Sequence, residues 1–336
     1  MKLASIELIS EILPHPNADK LDLAKVLGYT CIVGKDEFKA GDAVIFIQPD
    51  TILPDAPWAE FFKKRSSRVR AMKLRNVWSQ GIAISPYKVF APDISPLKGL
   101  LLPDRIGNDI AALIGVTKYE PPVPQQLDAK GQLPTGLGKT DEERWNNFLP
   151  ADLPYGELVD VSLKVDGSST TCYCKHIDEE WVVGVCSRSL ELKLECSNTY
   201  TAVEQKHSIL EKLKRYCMQH NVSLALRGEA YGRGIQSFNN NHHSKLPLGF
   251  AAFSIYNFDT HSYEHKGSQH YFEDVCHILD IPVVPIIERD VPLTPELIKH
   301  YAEDISELDG KPFEGVVVKH ATGSFKVMNA EYDSQK

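Results

Sequence analysis

The alternating run that ends in Lys164-Val165-Asp166-Gly167 constrains this chain more than any other segment. Val159, Val161, Leu163 and Val165 alternate with Asp160, Ser162, Lys164 and Asp166, the period of a strand with one buried and one outward face. Gly167-Ser168-Ser169 permits a tight turn, and Thr170 to Cys174 resumes the alternation. The pattern therefore predicts a hairpin that holds Lys164 beside its turn. Farther along stand Arg227-Gly228-Glu229, after the apolar Leu224-Ala225-Leu226, and Glu314-Gly315-Val316-Val317-Val318-Lys319. A lysine on a rigid strand, two separated carboxylate motifs and a late lysine are the parts of a nucleophile with a phosphate-handling site. Any one of these lysines alone reads as a surface residue; their order carries the information.

At 336 residues the chain exceeds the size at which one core stops growing, so two domains are expected. Up to about Ser85, short β-type runs at Leu21-Asp22-Leu23, Tyr29 to Val33, Ala43 to Ile47 and Arg68 to Val77 are punctuated by Gly28, Gly34, Gly41 and Pro49. This spacing predicts a small barrel of OB type. Pro121-Pro122-Val123-Pro124 and Gln132-Leu133-Pro134 read as an extended connector. Thr140-Asp141-Glu142-Glu143 has the capping-box form and predicts a short helix toward Phe148. The preceding Gly136-Leu137-Gly138-Lys139-Thr140 is not a P-loop, because Leu133 stands where the first glycine is required. Val203, Ile209, Leu210, Leu213, Tyr216 and Cys217 form a helical stripe over 201–220, and a shorter helix is expected over 295–308. The expected layout is a β-module with a trailing segment at 1–118, a Pro-rich connector at 119–138 and a second domain at 139–336.

A net charge of −8 disfavours a protein basic throughout, yet the stretch from Phe61 to Gln80 holds Lys63, Lys64, Arg65, Arg68, Arg70, Lys73 and Arg75 without one acidic residue. Such a patch is an electrostatic footprint for a nucleic-acid backbone, with a solvated surface as the plain alternative. No run of 18 apolar residues exists, so no membrane partner is expected, and Glu7 and Glu11 break any apolar core of an N-terminal signal. Seven irregularly spaced cysteines read as reduced thiols, giving the expectation of a soluble intracellular protein, cytoplasmic or nuclear. Cys172 and Cys174 lack the matching pair a zinc site needs, and His242-His243 with Asn239, Asn240 and Asn241 reads as a solvated loop.

Three further pieces complete a pattern: Ser187-Arg188 with Glu191-Leu192, Phe253 within the β-like run Phe250 to Tyr256, and Ser324-Phe325-Lys326. With these motifs the chain resembles the covalent nucleotidyltransferases, which include DNA ligases, RNA ligases and mRNA capping enzymes. Within them it is most similar to ATP-dependent RNA ligases that place an OB-fold module before the catalytic domain. The resemblance spans roughly 138–329, and more faintly the first 85 residues. It implies an α+β protein: an N-terminal OB-like β-barrel plus a nucleotidyltransferase domain of antiparallel sheets with flanking helices. It implies that Lys164 is the nucleophile, that Arg188 contacts the nucleotide sugar and the substrate phosphate, and that Glu229 serves the ribose and the metal. Phe253 would stack on the base, Lys319 and Lys326 would touch the α-phosphate, and Asp166, Glu229 and Glu314 would serve Mg²⁺ or Mn²⁺. Two departures stand out. Met328 occupies the place of a second lysine in the last motif, and no C-terminal OB domain of the kind DNA ligases and capping enzymes append follows it, which favours an RNA ligase.

The chemistry explains these residue types. Lys164 must be neutral to attack the α-phosphorus of ATP, and at an unperturbed pKa near 10.4 that costs about 4.6 kcal/mol at pH 7. Nearby cations disfavour the ammonium and lower this cost. The implied partner is RNA with 3′-hydroxyl and 5′-phosphate ends, in a nicked duplex or an RNA–DNA hybrid, bound by a monomer. The alternatives are a GTP-dependent capping enzyme, a DNA ligase, or a non-catalytic OB-type nucleic-acid-binding protein.

Overall fold

A computed structural model describes residues 2–91, 93, 105–119 and 128–335. The chain divides into two compact units. One contains Met1–Pro122, Glu143–Pro154 and Asp333–Lys336; the other contains Val123–Glu142 and Tyr155–Tyr332. The Pro121–Pro124 connector lies outside the described residues.

The first unit is built on a five-stranded antiparallel sheet in the order Tyr29–Gly34, Leu21–Val26, Ala4–Pro14, Ala43–Ile47, Ile82–Ile84. Alternation places Ala24, Val26, Tyr29, Cys31, Val44 and Phe46 in one apolar cluster and Ala4, Ile6, Ile45, Ile47 and Ile84 in another. A bulge between Ile9 and Glu11 lets the long central strand serve both. The strand expected from Arg68 to Val77 is instead a hairpin, Met72–Leu74 against Val77–Ser79. Arg75 and Asn76 both take positive φ (48° and 66°), the geometry of a primed two-residue turn, and a run of β-formers conceals that reversal. Buried Arg144 ties this unit together: its Nη2 lies 2.6 Å from Asp50, and its Nη1 lies 3.4 Å from Asp333. Arg68 takes the other Asp50 oxygen at 2.6 Å and lies 3.9 Å over the Tyr119 ring. Burial raises Asp50, but Arg144 and Arg68 outweigh it and hold the carboxyl well below the usual range.

The second unit carries two sheets. Seven antiparallel strands run in the order Ala129–Gln132, Leu190–Leu192, Glu180–Cys186, Ser168–Ile177, Leu224–Tyr231, Gly249–Asn257, Ser262–Tyr263. Four more run in the order Ile286–Pro292, Leu158–Leu163, Gly315–His320, Gly323–Met328. Helices Thr199–His207, Ile209–His220 and Phe272–Leu279 contribute Val203, Leu213, Cys217, Phe272 and Val275 to the core under the larger sheet. The stripe expected as one helix is broken at Ser208, whose φ of 50° ends the first helix and starts the second. The second expected helix is a short one, Pro295–Lys299, followed by a wider turn at His300–Asp304. The molecule is α+β, as the sequence predicts. Among the described residues no helix is long and apolar enough to cross a membrane, and all seven cysteines are free thiols.

Candidate active site

The predicted hairpin at Lys164 does not form. Leu158–Leu163 belongs to the four-stranded sheet and Ser168–Ile177 to the seven-stranded one, so Lys164-Val165-Asp166-Gly167 is a crossing between sheets. Alternation reveals which face of a strand is buried but not which sheet the next strand joins. The crossing is tight: a Cβ on Gly167 would lie 2.2 Å from the Ala230 carbonyl oxygen, so only glycine fits there. The Lys164 amide donates to the Gly315 carbonyl at 3.0 Å. Asn241, fully buried, donates to the Asp166 carbonyl at 3.2 Å, and the Tyr332 hydroxyl donates to the Asp166 carboxylate at 2.8 Å.

A cleft opens beside this crossing, lined by Ser162, Lys164, Glu229, Phe253, Val317 and Lys319, together with Thr140 and Glu142. Pairing across the four-stranded sheet explains part of the set, because directly opposed residues share a face. Ser162 opposes Val317, which opposes Lys326, so Lys326 stands on the cleft side. On the larger sheet Arg227 pairs with Ser254 but Gly228 pairs with Ala252. Phe253 is the extra residue of that bulge, which aims its ring into the cleft.

Glu314, buried at 4% side-chain exposure, lies 2.6 Å from the Lys164 ammonium. Lys319 donates to the Phe253 carbonyl and sits 3.9 Å over the Phe272 ring. Burial lowers Lys319 to about 8, with Glu142, Glu273 and Asp160 opposing that shift. The expected residues thus separate into groups. Lys164, Glu229, Phe253 and Lys319 line one cleft, Glu314 joins it through Lys164, and Lys326 flanks it. Asp166 turns its carboxylate to Tyr332, and Arg188 sits on the turn after Glu180–Cys186, bonded to Asp141.

Thr140 and Glu142 were legible only as a helix cap, and no helix forms there. Their capping groups have distant partners instead: Thr140 bonds the Ser169 hydroxyl, Asp141 takes Arg188 at 2.7 Å, and Glu142 accepts from Ser324 at 2.7 Å. A short turn, Trp145–Asn147, replaces the predicted helix.

Among the described residues no three His, Cys, Asp or Glu side chains are grouped as a ready-made metal cage. A Mg²⁺-like ion needs only one or two carboxylates, completed by water and substrate phosphates. Glu229 in the cleft and Glu314 at Lys164 supply hard oxygens of that kind, so the residues fit.

Of the basic residues at 63–75, Lys64, Arg65, Lys73 and Arg75 are exposed. Lys63 pairs with Asp55 and Arg68 with Asp50, while Arg70 is half-buried.

Comparison with known proteins adds the following. Residues 3–86 match a family described as OB-fold domain, and residues 157–332 match the family described as RNA ligase. No curated protein matches the chain. Among solved structures, Naegleria gruberi RNA ligase with PPi is 29% identical, with a TM-score of 0.82 over 99% of this chain and 98% of that one. An Arg-to-Ala mutant of the same ligase with ATP and Mn is 28% identical, with a TM-score of 0.82 and the same coverage. A Glu-to-Ala mutant with AMP and Mn is 27% identical, with a TM-score of 0.83 over 100% and 99%.

Proposed function

The chain belongs to the RNA ligase family, and we propose that its cleft seals RNA ends with ATP through a lysyl-adenylate on Lys164. One observation carries the site assignment: Lys164, Glu229, Phe253 and Lys319 line a single cleft, with Glu314 at 2.6 Å from the Lys164 ammonium. Phe253 stacks on the adenine, in a cleft that Val317 also lines. Lys319 donates at the Phe253 end, and Lys326 supplies positive charge toward the phosphates.

The Lys164 ammonium passes one proton to water and gives up its contact with Glu314; its lone pair forms a P–N bond to the α-phosphorus, and the nitrogen releases its second proton to water as that bond forms. The bond from that phosphorus to the bridging oxygen breaks, and pyrophosphate leaves with the electron pair. An oxygen of an RNA 5′-phosphate then attacks the same phosphorus and breaks the P–N bond, leaving the adenylate on the RNA end. A 3′-hydroxyl finally attacks the RNA 5′-phosphorus and releases its proton to water, while the bond from that phosphorus to the bridging oxygen breaks and AMP departs with the electron pair. A divalent ion held through Glu229 and Glu314 would neutralise phosphate charge. Asp166 keeps the crossing that carries Lys164 in place through Tyr332.

We extend the reading to nicked duplexes as substrate, gripped in part by the exposed Lys64, Arg65, Lys73 and Arg75, and to a monomer with reduced thiols, in keeping with seven free cysteines. The test is incubation with α-labelled ATP or GTP plus Mg²⁺ or Mn²⁺, followed by denaturation. Label retained from ATP and lost in Lys164→Ala is the expected result. Label from GTP alone moves the protein to capping, and no label with either ion leaves a nucleic-acid-binding protein.

A further inference from the structure

Glu142 belongs to none of the motifs that assemble the cleft, yet it lines the cleft together with Thr140. Strand register fixes where along the cleft it stands. Leu163, the last residue before Lys164, opposes Val316; Ser162 opposes Val317, and Asp160 opposes Lys319. On the next strand Lys326 opposes Val317, and Ser324 opposes Lys319. Lys319 and Ser324 are therefore two residues, about 7 Å, farther along the sheet from Lys164 than Val317 and Lys326 are. Ser324 donates to Glu142 Oε2 at 2.7 Å, which holds the carboxylate at that remote end. The segment leading to it is fastened as well: Thr140 bonds the Ser169 hydroxyl, and buried Arg227 donates to the Gly138 carbonyl.

The two ends of the cleft thus differ in chemistry. At one end stand Lys164 and its partner Glu314, 2.6 Å away. At the other, Phe253 offers a ring, Lys319 is committed to the Phe253 carbonyl and the Phe272 ring, and Glu142 brings a carboxylate. A carboxylate can accept about four hydrogens, and Ser324 supplies one. A nucleotide with its α-phosphorus at Lys164 extends its base away from that residue. The edge of adenine remote from the sugar carries the 6-amino group, an N–H donor.

We propose that Glu142 sets the preference for ATP by accepting a hydrogen bond from the 6-amino group of the adenine stacked on Phe253. The inference rests on reading the cleft as the ligase site, and it names the side chain that reads the base there.

The experiment uses the full chain with Glu142→Ala and Glu142→Gln. Formation of the lysyl-nucleotide is measured as kcat/KM with ATP, with GTP, and with purine riboside triphosphate, which carries only hydrogen at position 6. The unmodified protein should use ATP about tenfold better than purine riboside triphosphate, since the analogue leaves the carboxylate without its donor. In Glu142→Ala that ratio should fall close to one: ATP loses the bond, and the analogue never made it. Glu142→Gln keeps an oxygen that accepts the same N–H, so most of the ratio should remain. Each ratio is taken within one preparation, so a fraction of unfolded protein cancels. A purely structural role for Glu142 would lower both nucleotides alike and leave the ratio in place.

A ratio that survives Glu142→Ala therefore overturns the proposal, as does an unmodified protein that treats ATP and the analogue equally. Preference for GTP overturns it too, because a carboxylate can instead accept from the ring N1–H and 2-amino group of guanine. Absence of any lysyl-nucleotide in the unmodified protein is a different failure, since it removes the ligase reading and the proposal with it.

Discussion

Lys164 and Lys319 face opposite demands. Lys164 stands 2.6 Å from Glu314, a contact made by its charged form, yet it must react as the amine. Lys319 is held against an aromatic ring and a carbonyl, where burial lowers it to about 8. Folded Lys319 is therefore charged below about 8 and neutral above it, whereas an unfolded lysine holds its proton to about 10.4. Between those values the unfolded chain binds one more proton, so this group adds stability as pH rises through the window. Its attraction for a triphosphate runs the other way. In the Lys164→Ala background, where ATP binds without reacting, the Kd for ATP should rise several-fold as pH passes about 8. Equilibrium binding measured from pH 6.5 to 9.5 checks this. In Lys164→Ala/Lys319→Arg that rise should vanish, because arginine stays charged throughout.

Among the elements, the crossing from Leu158–Leu163 to Ser168–Ile177 matters most, since it places the nucleophile at the junction of two sheets. Gly167→Ala would drive a Cβ into the Ala230 carbonyl. It should destabilise the protein by about 1–3 kcal/mol in urea unfolding, and slow lysyl-AMP formation at least tenfold in molecules that still fold. The strand that leads into Lys164 and the β-run around Phe253 were legible in the sequence because each rests on local alternation, and the lysine and carboxylate motifs were legible by their order. The crossing was not, since a period of two names a face and not a partner sheet. Thr140 to Glu143 misled for a related reason. The same hydroxyl and carboxylates that cap a helix also serve distant partners, and Ser169, Arg188 and Ser324 lie 29 to 182 residues away. Ser208 escaped because apolar spacing continues across it while its backbone turns left-handed.

For the molecule as a whole, the acidic balance and the basic stretch are reconciled by exposure. Lys64, Arg65, Lys73 and Arg75 face solvent on a chain of net charge −8, whereas Arg68 is engaged with Asp50 and Tyr119. Replacing those four by alanine should flatten the dependence of log K on log salt for duplex RNA by about 3, at about 0.7–0.9 for each phosphate left without its cation. Lysyl-AMP formation should be unchanged, and Arg68→Ala should instead lower stability.

Arg144 also sets a timetable for biosynthesis. Its partner Asp333 is 189 residues farther along the chain. At ordinary elongation rates, roughly 10–40 s pass on the ribosome between the two. Throughout that interval the nascent N-terminal unit has Asp50 to answer Arg144 but not Asp333, so its last charge pairing is made only after nearly all of the ligase domain has been translated.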